Sequence, residues 1–215
     1  FFAAVGFLRP HTPLIVPKNF FDRFPLDQIQ LPEILDSDDL DTFLRSMADG
    51  GLNSNKLGKK MFNSIVQAYD GKELGLKKFI QAYLACIAAV DENVGDVLKA
   101  LEENNLDKNT IVVLTSDHGF HMGEKDYLYK NSLWEESTRV PLIIRAPGIS
   151  TPGKVDRAVS LIDIYPTLLD LTQLPKNTLK NNLGHSLDGH SMKGLLENPK
   201  IGDWSGPEVA LSLIH

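Results

Sequence analysis

The protein has 215 residues, and the mixture of 42% hydrophobic and 23% charged residues is that of a globular domain with a sizeable core. A formal net charge of −6 argues against nucleic acid or anionic membrane as the main partner, because phosphates attract surfaces rich in Lys and Arg. No stretch approaches the ~20 apolar residues of a membrane span, and the single cysteine, Cys86, excludes a disulfide within the chain.

The N-terminal part alternates between an apolar run, a loop and a helical pattern. Residues 1–7 are almost continuously apolar, which predicts a strand covered on both faces. Three prolines between residues 10 and 17 then favour an extended loop. After Asp38, apolar residues recur at helical spacing and predict a helix that ends before Gly50-Gly51; they are Leu40, Phe43, Leu44 and Met47.

The middle of the chain is predicted to be mainly helical. Residues 59–104 carry a helical pattern that is interrupted near Asp70-Gly71. One helix face is marked by apolar residues around a single acid. These residues are Ile80, Leu84, Ile87, Asp91, Val94, Leu98 and Leu101.

The remaining elements are short. The apolar runs 111–115 and 140–144 predict two further strands, and residues 159–161 predict a very short fourth one. Residues 164–171 predict a helix with the carboxylate of Asp163 capping its start. A last short helix is expected near residues 191–196.

Short apolar strands that alternate with long helices predict an α/β fold, with a mostly parallel sheet sandwiched between helices. Ligands bind at the carboxyl ends of the strands in such sheets. His11 follows the first apolar run, and Asp117-His118 follows the run 111–115. We therefore expect His11 and Asp117 to meet at one edge of the sheet.

These strand ends carry side chains that can bind metals and anions. The carboxylate of Asp117 suits Ca²⁺ or Mg²⁺, and imidazole can bind a metal or donate to an anion. With Lys130 nearby in sequence, a metal and the two imidazoles would form a pocket for a tetrahedral oxyanion ester. A strand-ending turn with a capping Asp and a surface His explains the same residues without a site.

Four segments, in order, resemble the sulfatases of the alkaline phosphatase superfamily, and the iduronate-2-sulfatase branch most of all. TSDHGFHMGEKDYLYKNSLWEESTRVPLIIRAPG is similar to the second signature region of that family. FFAAVGFLRPHTPLIVPKNF and YLACIAAVDENVGDVLKALEE resemble the segments before it, and AVSLIDIYPTLLDL resembles the segment after it. The resemblance implies an alkaline-phosphatase-like α/β fold, of which this chain is one part.

The resemblance also implies roles for four residues. Asp117 and His118 match the late pair of calcium-site residues. His11 matches the histidine that faces the sulfate and exchanges a proton with the ester oxygen, and Lys130 matches the lysine that contacts the sulfate group. Residues 1–175 would belong to the catalytic domain, and 176–215 would form a Gly/Asn/Pro-rich extension towards the C-terminal subdomain.

The chain departs from the family in its nucleophile. Formylglycine is made from a Cys/Ser-x-Pro-x-Arg motif, which these 215 residues lack; STPGK, residues 150–154, has Lys in place of Arg. Cys86 lies within a helical pattern and is predicted to be a packing residue. Asp38-Asp39 opens a helix instead of ending a strand, so it does not match the early Asp-Asp pair of calcium ligands. We expect a piece of a longer protein that is inactive alone.

The expected function of the whole protein is the hydrolysis of sulfate esters of small molecules or glycans. The alternatives are a phosphodiesterase or phosphonate hydrolase of the same superfamily, and a non-catalytic fragment or binding module. The resemblance implies export to the periplasm, the exterior or the lysosome. The N-terminal apolar run lacks a preceding basic residue, so it does not predict a signal peptide.

Several further residues have less specific interpretations. His121, Glu124 and Lys125 would either line the pocket or lie in an exposed loop. Trp134 is predicted to pack, and Arg139 to pair with Glu135 or Glu136. The remaining histidines, which have no motif context, are expected in exposed loops; they are His185, His190 and His215.

Overall fold

The computed structural model describes residues 1–36, 38, 53–69, 71–149, 152–175, 183, 185–200 and 202–210. The helix predicted around Phe43 therefore lies outside the described residues, as does His215. The chain divides into two units, neither of which is continuous in sequence. Unit 1 consists of Phe1–Asp107 and His118–Arg139, and unit 2 consists of Lys108–Asp117 and Val140–His215. The domain boundary at residue 175 stays a prediction.

Among the described residues of unit 1, three α-helices lie before residue 108. They are α1 (Lys18–Phe21), α2 (Asn53–Ala68) and α3 (Lys72–Glu103). The predicted interruption of the helical pattern is confirmed, because α2 and α3 are separate and Gly71 at their junction has a φ of 157°. At about 1.5 Å per residue, the 32 residues of α3 span about 48 Å.

Only the first half of α3 carries fully buried side chains. Leu76, Phe79 and Ile80 are buried there, whereas Ile87 is 42% exposed. The predicted apolar face is therefore confirmed at Ile80 and wrong at Ile87. The sequence pattern marks a stripe along the whole helix, but only the part that other segments cover becomes core. Cys86 is fully buried, as expected of a packing residue.

The core of unit 1 joins the two long helices to a segment far along the chain. Its centre is formed by Phe62 on α2, Leu76 and Phe79 on α3, and Leu128. Phe120 packs against this centre, and its ring lies 5.9 Å from that of Phe79. We call residues His118–Arg139 the site loop. Burying its apolar side chains against α2 and α3 is what holds this loop in place.

Leu76→Ala should destabilise unit 1 by about 3 kcal/mol, because a fully buried leucine loses its apolar contacts and leaves a cavity. Leu74→Ala is the matched control on the same helix. Its side chain is 44% exposed, so we expect a loss of less than about 1 kcal/mol. Urea unfolding of both variants measures the difference, and equal losses would contradict the proposed core.

Unit 2 contains the sheet that the described residues form. Its strands are β1 (Val112–Thr115) and β2 (Leu142–Arg145), and they pair antiparallel with Val112 opposite Arg145. Both predicted strands are confirmed, but the predicted parallel pairing is wrong for these two. A parallel connection needs a crossover of a dozen or more residues, usually a helix. The described residues between them form a 3₁₀ turn (Glu124–Asp126) and one α-helix of only four residues, α4 (Glu135–Thr138).

Two predicted strands do not form. Residues 1–7 have no regular secondary structure and their side chains are exposed, with Phe1 at 91%. An extended segment becomes a strand only when a neighbour pairs with its backbone, and the bridges among the described residues include none to this segment. Residues 159–161 are likewise not a strand, because Leu161–Asp163 is a 3₁₀ turn that leads into a helix.

Two helices complete unit 2, namely α5 (Ile164–Thr172) and α6 (Lys193–Glu197), which confirm the predicted helices in this region. Asp163 is buried, and its carboxylate accepts hydrogen bonds from the backbone N–H groups of Ser160 and His190, both at 2.7 Å. Asp163 thus caps the turn before α5, and its hydrogen bond with the backbone of His190 also stabilises the segment before α6. Among the helices that the structure describes, none combines the length and the apolar character of a membrane span.

Candidate active site

Asp117 lies two residues beyond the end of β1, as predicted. Its side chain is exposed, and the hydroxyl of Ser116 lies 3.5 Å from Asp117 Oδ1. A carboxylate placed at a strand end, and accessible from solvent, is well suited to bind a hard cation such as calcium.

His118 is half-buried at the start of the site loop. Its Nδ1 lies 2.8 Å from the carbonyl oxygen of Gly119. A carbonyl can only accept, so Nδ1 must carry a proton, and in the neutral ring Nε2 then carries the lone pair. Metal-binding histidines are usually held in this way, by a hydrogen bond from the second ring nitrogen.

Asp117 and His118 fit calcium as two contributors to a site rather than as a whole site. Calcium takes about 6–8 oxygen ligands, and imidazole is an unusual one. Among the residues that the structure describes, no three or more His, Cys, Asp or Glu side chains are grouped to hold a metal ion. Asp117 fits this cation better than His118 does.

His11 is exposed in a tightly bonded turn near the N-terminus. Its Nδ1 lies 2.6 Å from the carbonyl oxygen of Thr12, so this nitrogen is the donor and Nε2 carries the lone pair of the neutral ring. Its backbone N–H donates to Leu8, and Arg9 donates to the carbonyls of His11 and Ile15. The turn therefore fixes the orientation of the imidazole ring, and proton exchange with a substrate requires such a fixed orientation.

Lys130 is half-buried in the site loop. Its carbonyl oxygen accepts a hydrogen bond from the backbone N–H of Ser132 at 2.9 Å. Within the described part of the chain, the structure shows no ion pair or hydrogen bond for its ammonium group. A cation in this position is available to an anionic ligand.

Three of the four predicted site residues lie in unit 1, and Asp117 is the last residue of a segment of unit 2. Asp117 and His118 are consecutive in the chain. The contacts given above for His11 and Lys130 are local to their own loops. The expectation that His11 and Asp117 meet stays a prediction.

The site loop is organised around His121, which is completely buried. Its ring lies edge-on to Tyr127 and to Trp134, with 5.2 Å between the ring centroids in both pairs. The exposed-loop interpretation of His121 is therefore wrong, whereas packing of Trp134 is confirmed. Phe120 and Met122 flank this histidine and pack against the core, and these apolar neighbours are a sequence signal that is compatible with its burial without requiring it.

A chain of hydroxyl groups continues from His121. Its Nε2 lies 2.8 Å from Ser132 Oγ, which lies 2.8 Å from Ser137 Oγ and accepts from the backbone N–H of Trp134 at 3.3 Å. The other nitrogen, Nδ1, has no hydrogen-bond partner among the residues that the structure describes, and Oε2 atoms of Glu124 and Glu136 lie 3.8 and 3.9 Å from it. Burial lowers the pKa of His121 to about 4, so its ring is neutral at neutral pH.

Charged residues of the site loop form ion pairs and hydrogen bonds that stabilise its conformation. Lys125 pairs with Asp38 at 2.8 Å, and Asp126 pairs with Lys72 at 2.7 Å. Burial raises the pKa of Glu124, whose Oε2 accepts from the backbone N–H of Met122 at 2.7 Å. Glu124 and Lys125 therefore hold the loop by contacts of their own.

Other predictions for polar residues are also resolved. The ion pair predicted for Arg139 is confirmed with Glu135, at 2.7 Å. His185 is exposed, as expected, whereas His190 is half-buried against the ring of Trp204.

Comparison with known proteins places this chain in a family. The profile of the Sulfatase family matches residues 1–174. A sulfatase of Formosa agariphila is 45% identical over 174 residues, and an arylsulfatase of Clostridium perfringens is 33% identical over 201 residues. These matches cover 81% and 92% of this chain. An N-acetylglucosamine-6-O-sulfatase of Bacteroides thetaiotaomicron is 38% identical over 123 residues, which are 57% of this chain.

Among solved structures, a phosphonate monoester hydrolase from Silicibacter pomeroyi superposes with a TM-score of 0.70 at 25% identity, covering 91% of this chain and 37% of the other. The predicted alkaline-phosphatase-like α/β class is confirmed for this part of the domain. The chain spans only 32%, 37% and 21% of the three sequence relatives, in the order given. With its profile match over residues 1–174, the chain belongs to the sulfatase family.

Proposed function

We propose that the whole protein hydrolyses sulfate esters of saccharides, as a sulfatase of the iduronate-2-sulfatase type. This proposal is supported mainly by the side chains that lie just beyond the end of β1. There the exposed carboxylate of Asp117 precedes His118, whose Nδ1–H is held by a carbonyl, inside the segment that matches the sulfatase family. The relative named as an N-acetylglucosamine-6-O-sulfatase supports a sulfated sugar as the substrate class.

In this proposal each predicted residue has one role. Asp117 and His118 contribute ligands to calcium, which when bound offsets the negative charge of the sulfate ester. His11 exchanges a proton with the ester oxygen through Nε2, because its Nδ1 is committed to Thr12. Lys130 places its positive charge against the sulfate group, where it stabilises the charge that develops during transfer.

The nucleophile lies outside this set. No Cys/Ser-x-Pro-x-Arg motif occurs in the 215 residues, and buried Cys86 on α3 is a packing residue. We therefore expect the 215-residue chain to lack turnover when it is produced alone, and activity requires the whole protein. By family membership we also propose that this protein is exported, which cell fractionation would check.

Hydrolysis of phosphonate or phosphate esters is the second candidate, and the structural similarity to a phosphonate monoester hydrolase favours it. The ratio of kcat/KM values on a sulfated sugar and on a phosphonate monoester decides between the two. We expect the sulfate ester to be preferred. Preference for the phosphonate would favour the second candidate, and no turnover of either would favour a binding module.

Lys130→Ala in the whole protein should lower kcat/KM for a sulfate ester about 100-fold, because removing one preorganised group that stabilises developing charge costs about that much. Lys99→Ala is the matched control. That lysine lies on α3, with a largely exposed side chain paired to Glu103 at 3.6 Å, and its loss should leave kcat/KM unchanged. Equal activity of the two variants would contradict the role of Lys130.

A further inference from the structure

The position of Lys130 depends on its neighbours in the site loop. The carbonyl oxygen of Tyr129, the residue before it, accepts from the backbone N–H of His121 at 2.9 Å. On the other side, Ser132 donates its backbone N–H to Lys130 and contacts His121 Nε2 through its hydroxyl. Both flanks of Lys130 are thus joined to the same buried histidine.

These two connections differ in what they require of residue 121. The bond to Tyr129 uses the backbone, so any non-proline residue would keep it. The bond to Ser132 uses the imidazole, so it needs a side chain that can form a hydrogen bond at the position of Nε2. The identity of residue 121 therefore contributes to holding the C-terminal flank of Lys130, where the hydroxyl of Tyr127 also donates to the carbonyl oxygen of Asn131 at 3.3 Å.

The surroundings of the ring determine which way the hydrogen bonds run. If Nε2 carried the proton, the lone pair of Nδ1 would face the carboxylates of Glu124 and Glu136. If Nδ1 carries it, an N–H dipole faces them instead, which is electrostatically favourable in a buried site. Nε2 then accepts from the hydroxyl of Ser132, which in turn accepts from Ser137 and from the backbone of Trp134. Every lone pair and proton of Ser132 Oγ is then used.

We propose that His121 is a positioning residue, which acts through Ser132 to hold the turn that carries Lys130 in the geometry needed to meet an anionic ester. This proposal rests on the proposed function of Lys130. His121 is completely buried, so its ring is placed to act through its neighbours rather than on the substrate directly. Its effect on the reaction is therefore transmitted through the hydrogen bonds on either side of Lys130.

The test is a double-mutant cycle in the whole protein, with kcat/KM for a sulfate ester as the measurement. His121→Phe keeps a ring against Tyr127 and Trp134 but removes Nε2, and we expect it to lower kcat/KM about 10- to 100-fold, as loss of an orienting partner typically does. In a Lys130→Ala background the same change should lower it less than about 2-fold. His121→Gln, which retains a hydrogen-bonding group, should stay within about 3-fold of the wild type.

Equal losses from His121→Phe with and without Lys130 would overturn the proposal, because the histidine would then act on general stability. Wild-type activity of His121→Phe beside an inactive Lys130→Ala would overturn it as well, while leaving the proposed function intact. Wild-type activity of Lys130→Ala would overturn the proposed role of Lys130 and this inference together. If His121→Phe does not fold, Ser132→Ala, which removes one hydroxyl group, takes its place in the cycle with the same expectations.

Discussion

Asp117→Ala in the whole protein is expected to weaken calcium binding by on the order of 100-fold or more and to lower turnover by about 1,000-fold. An oxygen ligand contributes directly to the site of a hard cation, and the charge stabilisation that a bound metal supplies is worth several kcal/mol. The exposed position of Asp117 beyond β1 makes a general loss of stability from this change small.

Two further variants make this result specific. Asp117→Asn keeps one oxygen ligand but removes the charge, so its calcium affinity should fall between those of the wild type and Asp117→Ala. Asp156→Ala is the matched control in unit 2, because its largely exposed carboxylate pairs only with Lys154 among the described contacts. Calorimetry measures the affinities. Tight, stoichiometric calcium binding by Asp117→Ala would remove the basis for this metal site.

Gly119→Ala should be the most damaging substitution in the site loop, with a loss of about 3 kcal/mol in stability and more than 100-fold in turnover. A Cβ atom at this position would lie 2.1 Å from the carbonyl oxygen of Glu136 and 3.1 Å from that of Arg139. Overpacking costs about 1–3 kcal/mol, and we expect the upper end because backbone, unlike a side chain, cannot rotate away. The N–H of Gly119 also donates to Ser137 at 2.8 Å.

Gly95→Ala provides the control for the same chemical change. Gly95 lies within α3, and among the described residues no atom beyond its chain neighbours and the adjacent helix backbone lies within 4 Å of a Cβ built on it. Alanine is preferred to glycine in a helix interior, so this variant should gain up to about 1 kcal/mol. Urea unfolding and kcat/KM compare the two variants. Unchanged stability and turnover in Gly119→Ala would show that the loop does not need this close approach.

Local sequence signals predicted the elements whose formation depends on nearby residues. The break at Gly71, the two strands after residue 110 and the helix after Asp163 all follow from glycine, apolar runs or a capping carboxylate. The strand predicted for residues 1–7 failed because strand formation depends on a partner elsewhere in the chain. The same dependence explains why the antiparallel pairing of β1 and β2 was not predicted.

In the candidate site, too, nearby residues predict some features, whereas other features depend on residues farther along the chain. The position of Asp117 just after a strand could be read from the apolar run before it. The burial of His121 could not be read from its own chemistry, because it results from Tyr127 and Trp134 closing over the ring. A polar residue between apolar neighbours is ambiguous in sequence until the packing partners on both sides are known.

The division of the chain into interleaved units has a consequence for its synthesis. Unit 1 is completed only at Arg139, whereas β1 of unit 2 leaves the ribosome before the site loop does. Leu142, the first residue of β2, follows Thr115 by 27 residues, which corresponds to a delay of about 1–5 s at usual rates of translation. During that interval β1 lacks β2, the strand that pairs with it among the described residues, so this apolar segment is open to aggregation or chaperone capture while the residues of the site loop are being added.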